Sequence, residues 1–130
     1  MQITMFKSKL HQIAVTEANL FYEGSITIDE DLLEMAELLP YEKVQIVNIN
    51  NGERFETYTI PGPRGSRICC LNGPAARKVQ VQDRVIVISY AEMSPEEARK
   101  HKPKVVILNK HNEPIEVMNY SVYATEIIPD

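Results

Sequence analysis

The feature that most constrains this chain is a succession of short segments rich in β-branched residues and separated by turn residues. The clearest segments are residues 44–49, 54–60 and 84–90. Within the last of them, Val85-Ile86-Val87-Ile88 is typical of a strand that is buried on both faces. Asn51-Gly52 stands between the first two segments and favours a hairpin turn. Several short strands with turn signals between them predict a mainly β fold.

Short helices and further strands are predicted between these segments. Four apolar residues recur at helical spacing, namely Leu32, Met35, Ala36 and Leu39. Asp29 is the expected N-cap of this helix, and Pro40 is expected to end it. A second short helix follows the capping-box pattern of residues 94–97. A brief helix is also predicted to begin after the Asn72-Gly73-Pro74 turn. Additional strands are expected at residues 9–15, 68–71 and 104–108.

The arrangement of these elements predicts one barrel domain over residues 1–130. A chain of 130 residues is large enough for one hydrophobic core, and no linker, repeat or low-complexity stretch divides it. Many short strands expose many sheet edges, and closure into a barrel removes those edges. We therefore expect a mainly β fold with short helices, built as a small closed β-barrel. The chain after residue 108 is predicted to be irregular, with a final hairpin strand as the alternative.

Charge and cysteine content restrict the partners and the compartment. The 14 basic and 18 acidic side chains give a net charge of -4, and no basic stripe could neutralise a phosphate backbone. No segment approaches the roughly 20 apolar residues of a membrane span. The only cysteines, Cys69 and Cys70, are adjacent, which strains a disulfide and supplies too few ligands for structural zinc. We expect a cytoplasmic protein that binds no nucleic acid, membrane or metal.

Gly24-Ser25 is the dipeptide with the most distinctive potential chemistry. A serine hydroxyl can attack the carbonyl carbon of the preceding residue and convert the amide to an ester. Glycine assists because it removes Cβ hindrance and permits strained dihedrals. β-Elimination of the ester would break the chain and leave dehydroalanine, which hydrolyses to a pyruvoyl group. Taken alone, however, Gly-Ser is a common turn dipeptide, and this pair favours a turn.

Five further polar residues are spaced so that strand geometry sorts them by face. Lys9 and His11 are two residues apart, and Arg54 and Tyr58 are four apart, so each pair shares one face of its strand. Thr57 points to the opposite face from Arg54 under the same rule. Each residue alone has an ordinary structural explanation, such as a surface imidazole, an ion pair with a neighbouring glutamate, or a strand aromatic.

Six segments of the chain stand together in an order and spacing shared with a known family. They are Lys9-Leu10-His11, Val15-Thr16, Tyr22-Glu23-Gly24-Ser25 with Ile28-Asp29, residues 51–58, Arg64-Gly65-Ser66, and Asn72-Gly73 with Ala75-Ala76. This arrangement resembles the pyruvoyl-dependent aspartate 1-decarboxylases, from the first residues to about residue 90 and again in the helix at residues 96–99. The chain departs from the family pattern at Pro74, where alanine is common, and at Gln82, where glycine is frequent.

The resemblance implies a fold, an assembly and an activity. The fold would be a double-psi β-barrel, and the protein would form a homotetramer with active sites between subunits. The implied reaction converts L-aspartate to β-alanine and CO2 in the cytoplasm, for pantothenate and coenzyme A biosynthesis. The enzyme would be a carbon–carbon lyase that is made as a zymogen.

The resemblance also implies that the chain matures by cleaving itself. The break would fall between Gly24 and Ser25, giving a β chain of residues 1–24 and an α chain of residues 25–130. Ser25 would become the covalent pyruvoyl cofactor, with which the substrate amine forms a Schiff base. Thr57 would hydrogen-bond the Gly24 carbonyl as it becomes an oxyanion, and His11 would support processing or orientation. A maturation-factor protein is an open alternative to spontaneous cleavage.

For the substrate, the resemblance assigns binding groups and a proton donor. The planar fork of Arg54 matches a carboxylate bidentately, and Lys9 would add positive charge for a dianionic substrate. Tyr58 would protonate the carbanion-like intermediate as a general acid. The remaining pocket residues are expected to be Thr57, Asn72, Gly73, Pro74 and Ala75.

Two alternatives remain open from the sequence. One is an unprocessed barrel module that binds a small acidic ligand or a partner protein, with Ser25 never cleaved. The other keeps the fold and mechanism but acts on another amino acid such as glutamate, because Arg54 would bind either carboxylate. Chain cleavage separates the first alternative from the enzyme, and competition between the two substrates separates the second.

Overall fold

A computed structural model describes residues 1–119, and the tail from 120 to 130 lies outside the described residues. The strands are β1 (Ile3–Ala14), β2 (Glu17–Asn19), β3 (Ser25–Asp29), β4 (Lys43–Asn48), β5 (Arg54–Gly62), β6 (Cys69–Asn72), β7 (Arg84–Met93), β8 (Lys104–Leu108) and β9 (Pro114–Asn119). The helices are α1 (Glu30–Met35), α2 (Pro95–Lys100) and a 3₁₀ helix (Gly73–Lys78). Within residues 1–119, no helix has the length and apolar character needed to cross a membrane.

The strands form one sheet that curls into a small barrel. Their order is β2-β6-β3-β5-β4-β7-β1-β8-β9, so β1 and β2 lie far apart in the sheet. Yet β1 and β2 are joined through Val15 and Thr16 alone, which requires the sheet to bend round until these strands meet. Backbone hydrogen bonds close the junction, from Val15 N to the Asp83 carbonyl and from Thr16 N to the Cys69 carbonyl, each 2.8 Å. The predicted mainly β barrel is confirmed.

The barrel interior is filled by alternate residues of the strands, as strand geometry requires. Fully buried members include Leu10, Ile13, Ile26, Ile28, Ile46 and Leu71. In β7, Val85 and Val87 are fully buried, but Ile86 and Ile88 are only half-buried. The prediction that β7 is buried on both faces is therefore wrong within a single subunit. Only its inner face is covered by the core, and its outer face carries apolar side chains that lie partly open.

The first helix begins as predicted and ends early. The Asp29 side chain caps it by accepting a hydrogen bond from Asp31 N at 2.9 Å. The helix stops at Met35, and Glu37 then takes a positive φ of 57°, which reverses the chain before the predicted end at Pro40. The second helix has the predicted capping box between Ser94 and Glu97.

Several strand boundaries differ from the sequence prediction, which also missed β2 and β3, the latter beginning at Ser25 where a turn was predicted. β1 begins at Ile3 and is longer than predicted, and β5 continues through residues predicted as a loop to pair Gly62 with Asp29 of β3. A Cβ on Gly62 would lie 2.5 Å from Ile68 Cγ2, so this close approach depends on glycine. Residues 114–119 form a hairpin with β8 rather than an irregular tail, which confirms the hairpin alternative for that part of the tail.

Candidate active site at the Gly24–Ser25 bond

Ser25 is a fully buried residue at the start of β3. It stands opposite Asn72 in the antiparallel pairing of β3 with β6. Asn72 Nδ2 donates to Ser25 Oγ at 2.9 Å and to Thr27 Oγ1 at 3.0 Å. Ser25 Oγ itself reaches only the Glu23 carbonyl, at a long 3.5 Å. The hydroxyl oxygen is therefore held by an amide donor, while its own proton is weakly engaged.

The residues after Asn72 form a wall directly behind Gly24. Gly73 has a φ of +67°, and a Cβ placed on it would come within 2.7 Å of the Tyr22 carbonyl oxygen and 2.9 Å of Gly24 N. A Cβ on Gly24 would lie 3.9 Å from Pro74 Cδ. The structure thus brings Asn72, Gly73 and Pro74 to the Gly24–Ser25 bond.

Two more predicted residues approach this bond from β5. Ile26 pairs with Thr59 in the parallel register of β3 and β5. One residue earlier on each strand, Tyr58 neighbours Ser25, and Thr57 lies one position further toward Gly24. Neighbouring strands are about 4.8 Å apart, so the Tyr58 backbone is close to that of Ser25. Among residues 1–119, no hydrogen bond joins Thr57 to the Gly24 carbonyl.

The predicted cationic residues lie on the outer face of the same sheet. A continuous row of paired residues runs from Lys9 through Ile88 and Gln45 to Glu56. Arg54 and Tyr58 flank Glu56 at alternate positions of β5, so they share this face with Lys9. Lys9 Nζ is 5.3 Å from the centroid of the Phe6 ring, and Arg54 is exposed.

Within a single chain, Lys9 and Arg54 do not lie close to Ser25. Arg54 precedes Tyr58 by four residues, which corresponds to about 13 Å along the strand. Lys9 lies three strands away from β5 in the sheet, or about 14 Å across it. Lys9 and Arg54, which we call the cation group, are therefore separated within one chain from Ser25, Tyr58 and the wall formed by residues 72–74.

His11 is a mostly buried imidazole on the outer side of β1. It pairs with Ile107 of β8 and lies on the side opposite the buried Leu10. Burial, followed by the charges of Lys9 and Arg84, lowers the pKa of His11 to about 4. The ring is consequently neutral at physiological pH. Its Nδ1 atom is buried without a hydrogen-bond partner among residues 1–119.

Sequence reasoning missed two side chains that support Asn72. Cys70 Sγ lies 3.2 Å from Asn72 Oδ1, and Thr27 Oγ1 accepts from Asn72 Nδ2. The sequence predicted a strand only over residues 68–71, with Asn72 and Ser25 in turns, so the strand alternation that places Cys70 with Asn72 and Ser25 with Thr27 was not available from it. The pairing of those two strands was not predictable from spacing.

The fold and this geometry define a small β-barrel whose candidate site is a Gly-Ser peptide bond with a buried serine. The sequence profile of the aspartate decarboxylase family matches residues 1–115, and the chain belongs to that family. This confirms the resemblance drawn from its motifs.

Relatives support this membership over most of the chain. An aspartate 1-decarboxylase of Bacillus licheniformis is 64% identical over 110 residues, which cover 85% of this chain and 87% of that protein. One of Salinibacter ruber is 62% identical over 113 residues, covering 87% and 77% respectively. One of Desulfitobacterium hafniense is 55% identical over 123 residues, covering 95% and 97%.

Proposed function

We propose that this protein is an aspartate 1-decarboxylase, which converts L-aspartate to β-alanine and CO2 with a pyruvoyl group formed from Ser25. Its product would supply pantothenate and coenzyme A biosynthesis. The observation that carries the proposal is the Gly24–Ser25 bond, with a buried Ser25 held by Asn72 and with Gly24 packed against Gly73, in a chain of this family. The two reduced, buried cysteines support a cytoplasmic location.

The residues around Ser25 fit a pyruvoyl group. Residue 25 is fully buried, which protects a reactive ketone, and Asn72 Nδ2 lies beside it as a hydrogen-bond donor. Gly24 and Gly73 leave the bond free of side chains on both sides. When formed, a pyruvoyl group supplies an electron sink for the electrons released as the α-carboxylate leaves.

Maturation would begin with attack of Ser25 Oγ on the Gly24 carbonyl carbon. The new C–O bond replaces the C–N bond, so the amide becomes an ester. Elimination then returns the serine oxygen to Gly24 as a carboxylate and leaves dehydroalanine, whose hydrolysis releases ammonia. The β3–β5 register supports Thr57 as a donor to the Gly24 carbonyl oxygen, where negative charge develops during the attack. We assign His11 to support of processing or orientation.

Substrate binding would use the cation group. Arg54 is suited to hold a carboxylate in a bidentate manner, and Lys9 offsets the second negative charge of aspartate. Tyr58, beside Ser25 in the register, would return a proton to the substrate carbon after CO2 leaves. Asn72, Gly73, Pro74 and Ala75 would line the pocket. Because Pro74 has no N–H, it cannot donate to the substrate.

The separation within one chain supports sites between subunits, as in the homotetramer that the resemblance implies. Arg54 lies about 13 Å along β5 from Tyr58, yet both are on the outer face of the sheet. That face also carries Ile86 and Ile88, which are only half-buried in one chain. A second subunit packed there would cover these side chains and would bring its own cation group to Ser25.

Mixing two inactive variants tests this arrangement. A Ser25→Ala chain lacks the pyruvoyl precursor, and an Arg54→Gln chain lacks the carboxylate-binding fork. We expect co-expressed chains to form mixed assemblies with part of the parental activity, because some sites combine an intact Ser25 with an intact Arg54. Mixed assemblies without activity would contradict sites shared between subunits.

Intact mass spectrometry under denaturing conditions tests the proposed function as a whole. We expect two fragments, residues 1–24 and 25–130, with the larger lighter by one ammonia than a chain that starts with serine. Ser25→Ala should stay intact, folded and inactive. Its continued production of β-alanine from aspartate would exclude the pyruvoyl mechanism.

A full-length mass that persists has two interpretations, and adding an extract of the source cells distinguishes them. If warm incubation with an extract of the source cells produces the two fragments, cleavage depends on a maturation-factor protein. A chain that stays whole and inactive under both conditions would instead be a binding module for a small acidic ligand. In the cleaved protein, competition between aspartate and glutamate identifies the preferred substrate.

A further inference from the structure

Four side chains form a square on one face of β3 and β6. Ser25 stands opposite Asn72, and Thr27 stands opposite Cys70, in the antiparallel register of the two strands. Ser25, Asn72 and Cys70 are buried. The neighbouring Cys69 points to the opposite face, into the barrel core. Cys70, unlike Cys69, is therefore part of the surroundings of the Gly24–Ser25 bond.

The Asn72 carboxamide uses both of its ends within this square. Its Nδ2 group donates to the two hydroxyl oxygens, Ser25 Oγ at 2.9 Å and Thr27 Oγ1 at 3.0 Å. Its Oδ1 atom faces Cys70 Sγ at 3.2 Å. The other acceptor near this thiol, the Leu71 carbonyl, is farther away at 3.9 Å. The S–H group of Cys70 therefore has Asn72 Oδ1 as its best acceptor.

The orientation of the Asn72 carboxamide decides whether Ser25 Oγ accepts a hydrogen bond from it or donates one to it. In the observed orientation Ser25 Oγ receives a hydrogen bond, and its own proton is left to other acceptors. In the reversed orientation Asn72 Oδ1 would face Ser25 and would engage the hydroxyl proton. Hydroxyls donate and accept, so Ser25 and Thr27 are compatible with either orientation. Cys70 distinguishes the two, because a thiol donates to Oδ1 better than it accepts from Nδ2.

The protonation state of Cys70 agrees with a donor role. Burial raises the pKa of the Cys70 thiol, and the negative charge of Glu17 raises it further. The group is consequently a thiol at physiological pH, with a proton to donate, and not a thiolate.

We propose that Cys70 is a positioning residue for chain cleavage. Its thiol donates to Asn72 Oδ1 and thereby holds Asn72 Nδ2 against Ser25 Oγ. A fixed donor at this oxygen stabilises the negative charge that grows on Oγ as it loses its proton and attacks the Gly24 carbonyl carbon. This inference rests on the proposed function, since it concerns the cleavage that forms the pyruvoyl group.

The cleavage rate of three variants tests the inference. Cys70→Ala removes the donor, Cys70→Ser keeps a donor of similar size, and Cys69→Ala removes the adjacent thiol that faces the core. We expect cleavage of Cys70→Ala, followed by intact mass, to be roughly 2- to 10-fold slower than that of the parent, which corresponds to one net hydrogen bond. Cys70→Ser and Cys69→Ala should cleave at close to the parental rate.

The outcomes separate this inference from the proposed function. If the parent chain cleaves neither alone nor with the cell extract, the proposed function fails and the inference fails with it. If the parent cleaves and Cys70→Ala keeps pace with it, the inference alone is overturned. A Cys70→Ser variant as slow as Cys70→Ala would also overturn it, because the side-chain volume rather than the donor would then control the rate.

An infrared measurement examines the hydrogen bond independently of cleavage. In Cys69→Ala, Cys70 is the only thiol, so the S–H stretching band reports this group alone. Hydrogen-bond donation moves the S–H band to lower frequency. We therefore expect the band of the double variant, Cys69→Ala with Asn72→Ala, to lie at higher frequency than that of Cys69→Ala alone. A band at the same frequency with and without Asn72 would show that the thiol does not donate to it, and would overturn the proposal.

Discussion

Gly73 lies directly against Gly24, the residue before the proposed scissile bond. A Cβ added to Gly73 would come within 2.9 Å of Gly24 N and 3.0 Å of Gly24 Cα, and its φ is +67°. An alanine at this position would have to displace the backbone of residues 22–24. The position of the Gly24 carbonyl relative to Ser25 Oγ therefore depends on the absence of a side chain at residue 73.

Gly73→Ala should accordingly slow self-cleavage. Misplacement of reacting atoms by a fraction of an ångström to one ångström reduces rates steeply, and we expect cleavage to slow roughly 10- to 100-fold. Time-resolved intact mass spectrometry of the purified chain measures this rate.

The matched control is Gly52→Ala, because Gly52 also has a positive φ, of +77°, but nothing lies within 4 Å of an added Cβ. It should lose about 1 kcal/mol of stability from backbone strain and should cleave at the parental rate. If the two variants slow cleavage equally, backbone strain and not contact with Gly24 is responsible.

Tyr58→Phe should separate maturation from turnover. The β3–β5 register places Tyr58 beside Ser25, where the proposed role is protonation of the substrate after CO2 leaves. We expect normal cleavage, because the processing groups remain, and a kcat lower by roughly 100-fold or more, since the general acid is gone. Intact mass and the rate of β-alanine formation measure the two steps.

Tyr90→Phe provides the comparison for that variant. Tyr90 lies on the same outer face but donates its hydroxyl to Gln45 Oε1 at 2.7 Å, and its strand β7 is three strands away from β3, which carries Ser25. It should retain both cleavage and turnover. A Tyr58→Phe chain that remains whole would assign this tyrosine to maturation instead.

The alternation of strand residues was readable from the sequence, whereas the pairing of distant strands was not. The apolar periodicity of β7 identifies a strand, and it correctly places Val85 and Val87 in the core. It does not reveal that Ile86 and Ile88 face outward, because a run of branched residues looks the same whether its second face meets a core or a partner subunit.

Similarly, the early end of α1 follows from the positive φ of Glu37, a backbone reversal that helical spacing cannot predict. Apolar residues continue at helical spacing up to Leu39, but Leu38 is buried and Leu39 is exposed after the chain turns.

The candidate site was located by resemblance and explained by contacts far apart in sequence. The hydrogen bond from Asn72 to Ser25 joins residues that are 47 positions apart, and it depends on the antiparallel register of β3 with β6. Composition and spacing carry no information about such a register. Strand periodicity did place Arg54 and Tyr58 on one face, but it could not show that Arg54 and Ser25 are separated within one chain.

The pKa of His11 predicts a pH dependence of stability. Burial and the charges of Lys9 and Arg84 lower it from 6.5 to about 4 in the folded chain. As the pH falls below about 6.5, the unfolded chain takes up a proton that the folded chain refuses until about pH 4, so folding stability decreases across this window. The stabilising contribution of neutral His11 is thus fully present at neutral pH.

His11→Gln isolates this contribution, because glutamine does not titrate. Both chains are compared in the Ser25→Ala background, which keeps them uncleaved. Between about pH 7 and about pH 4, urea unfolding should show the chain with His11 losing roughly 1–3 kcal/mol more than His11→Gln. Parallel pH profiles of the two chains would mean that His11 is protonated in the folded state at its ordinary pKa.

Gln82 carries a local strain that a single substitution should remove. It has a positive φ of 79°, and its backbone N donates to the Val15 carbonyl at 2.8 Å to help close the barrel. A residue with a Cβ is strained in this conformation by about 1–2 kcal/mol. Glycine removes that strain and keeps the backbone hydrogen bond, although it gives the unfolded chain more conformational freedom.

Gln82→Gly should therefore be more stable than the parent by about 1 kcal/mol, which raises the melting temperature by roughly 3 °C for a chain of this size. Gln80→Gly is the matched control, since Gln80 is also an exposed glutamine of the same turn but lacks a positive φ. It should lose up to about 1 kcal/mol through the unfolded state alone. Opposite signs for the two substitutions would locate the strain at residue 82, whereas equal losses would mean that the conformation of Gln82 is not strained.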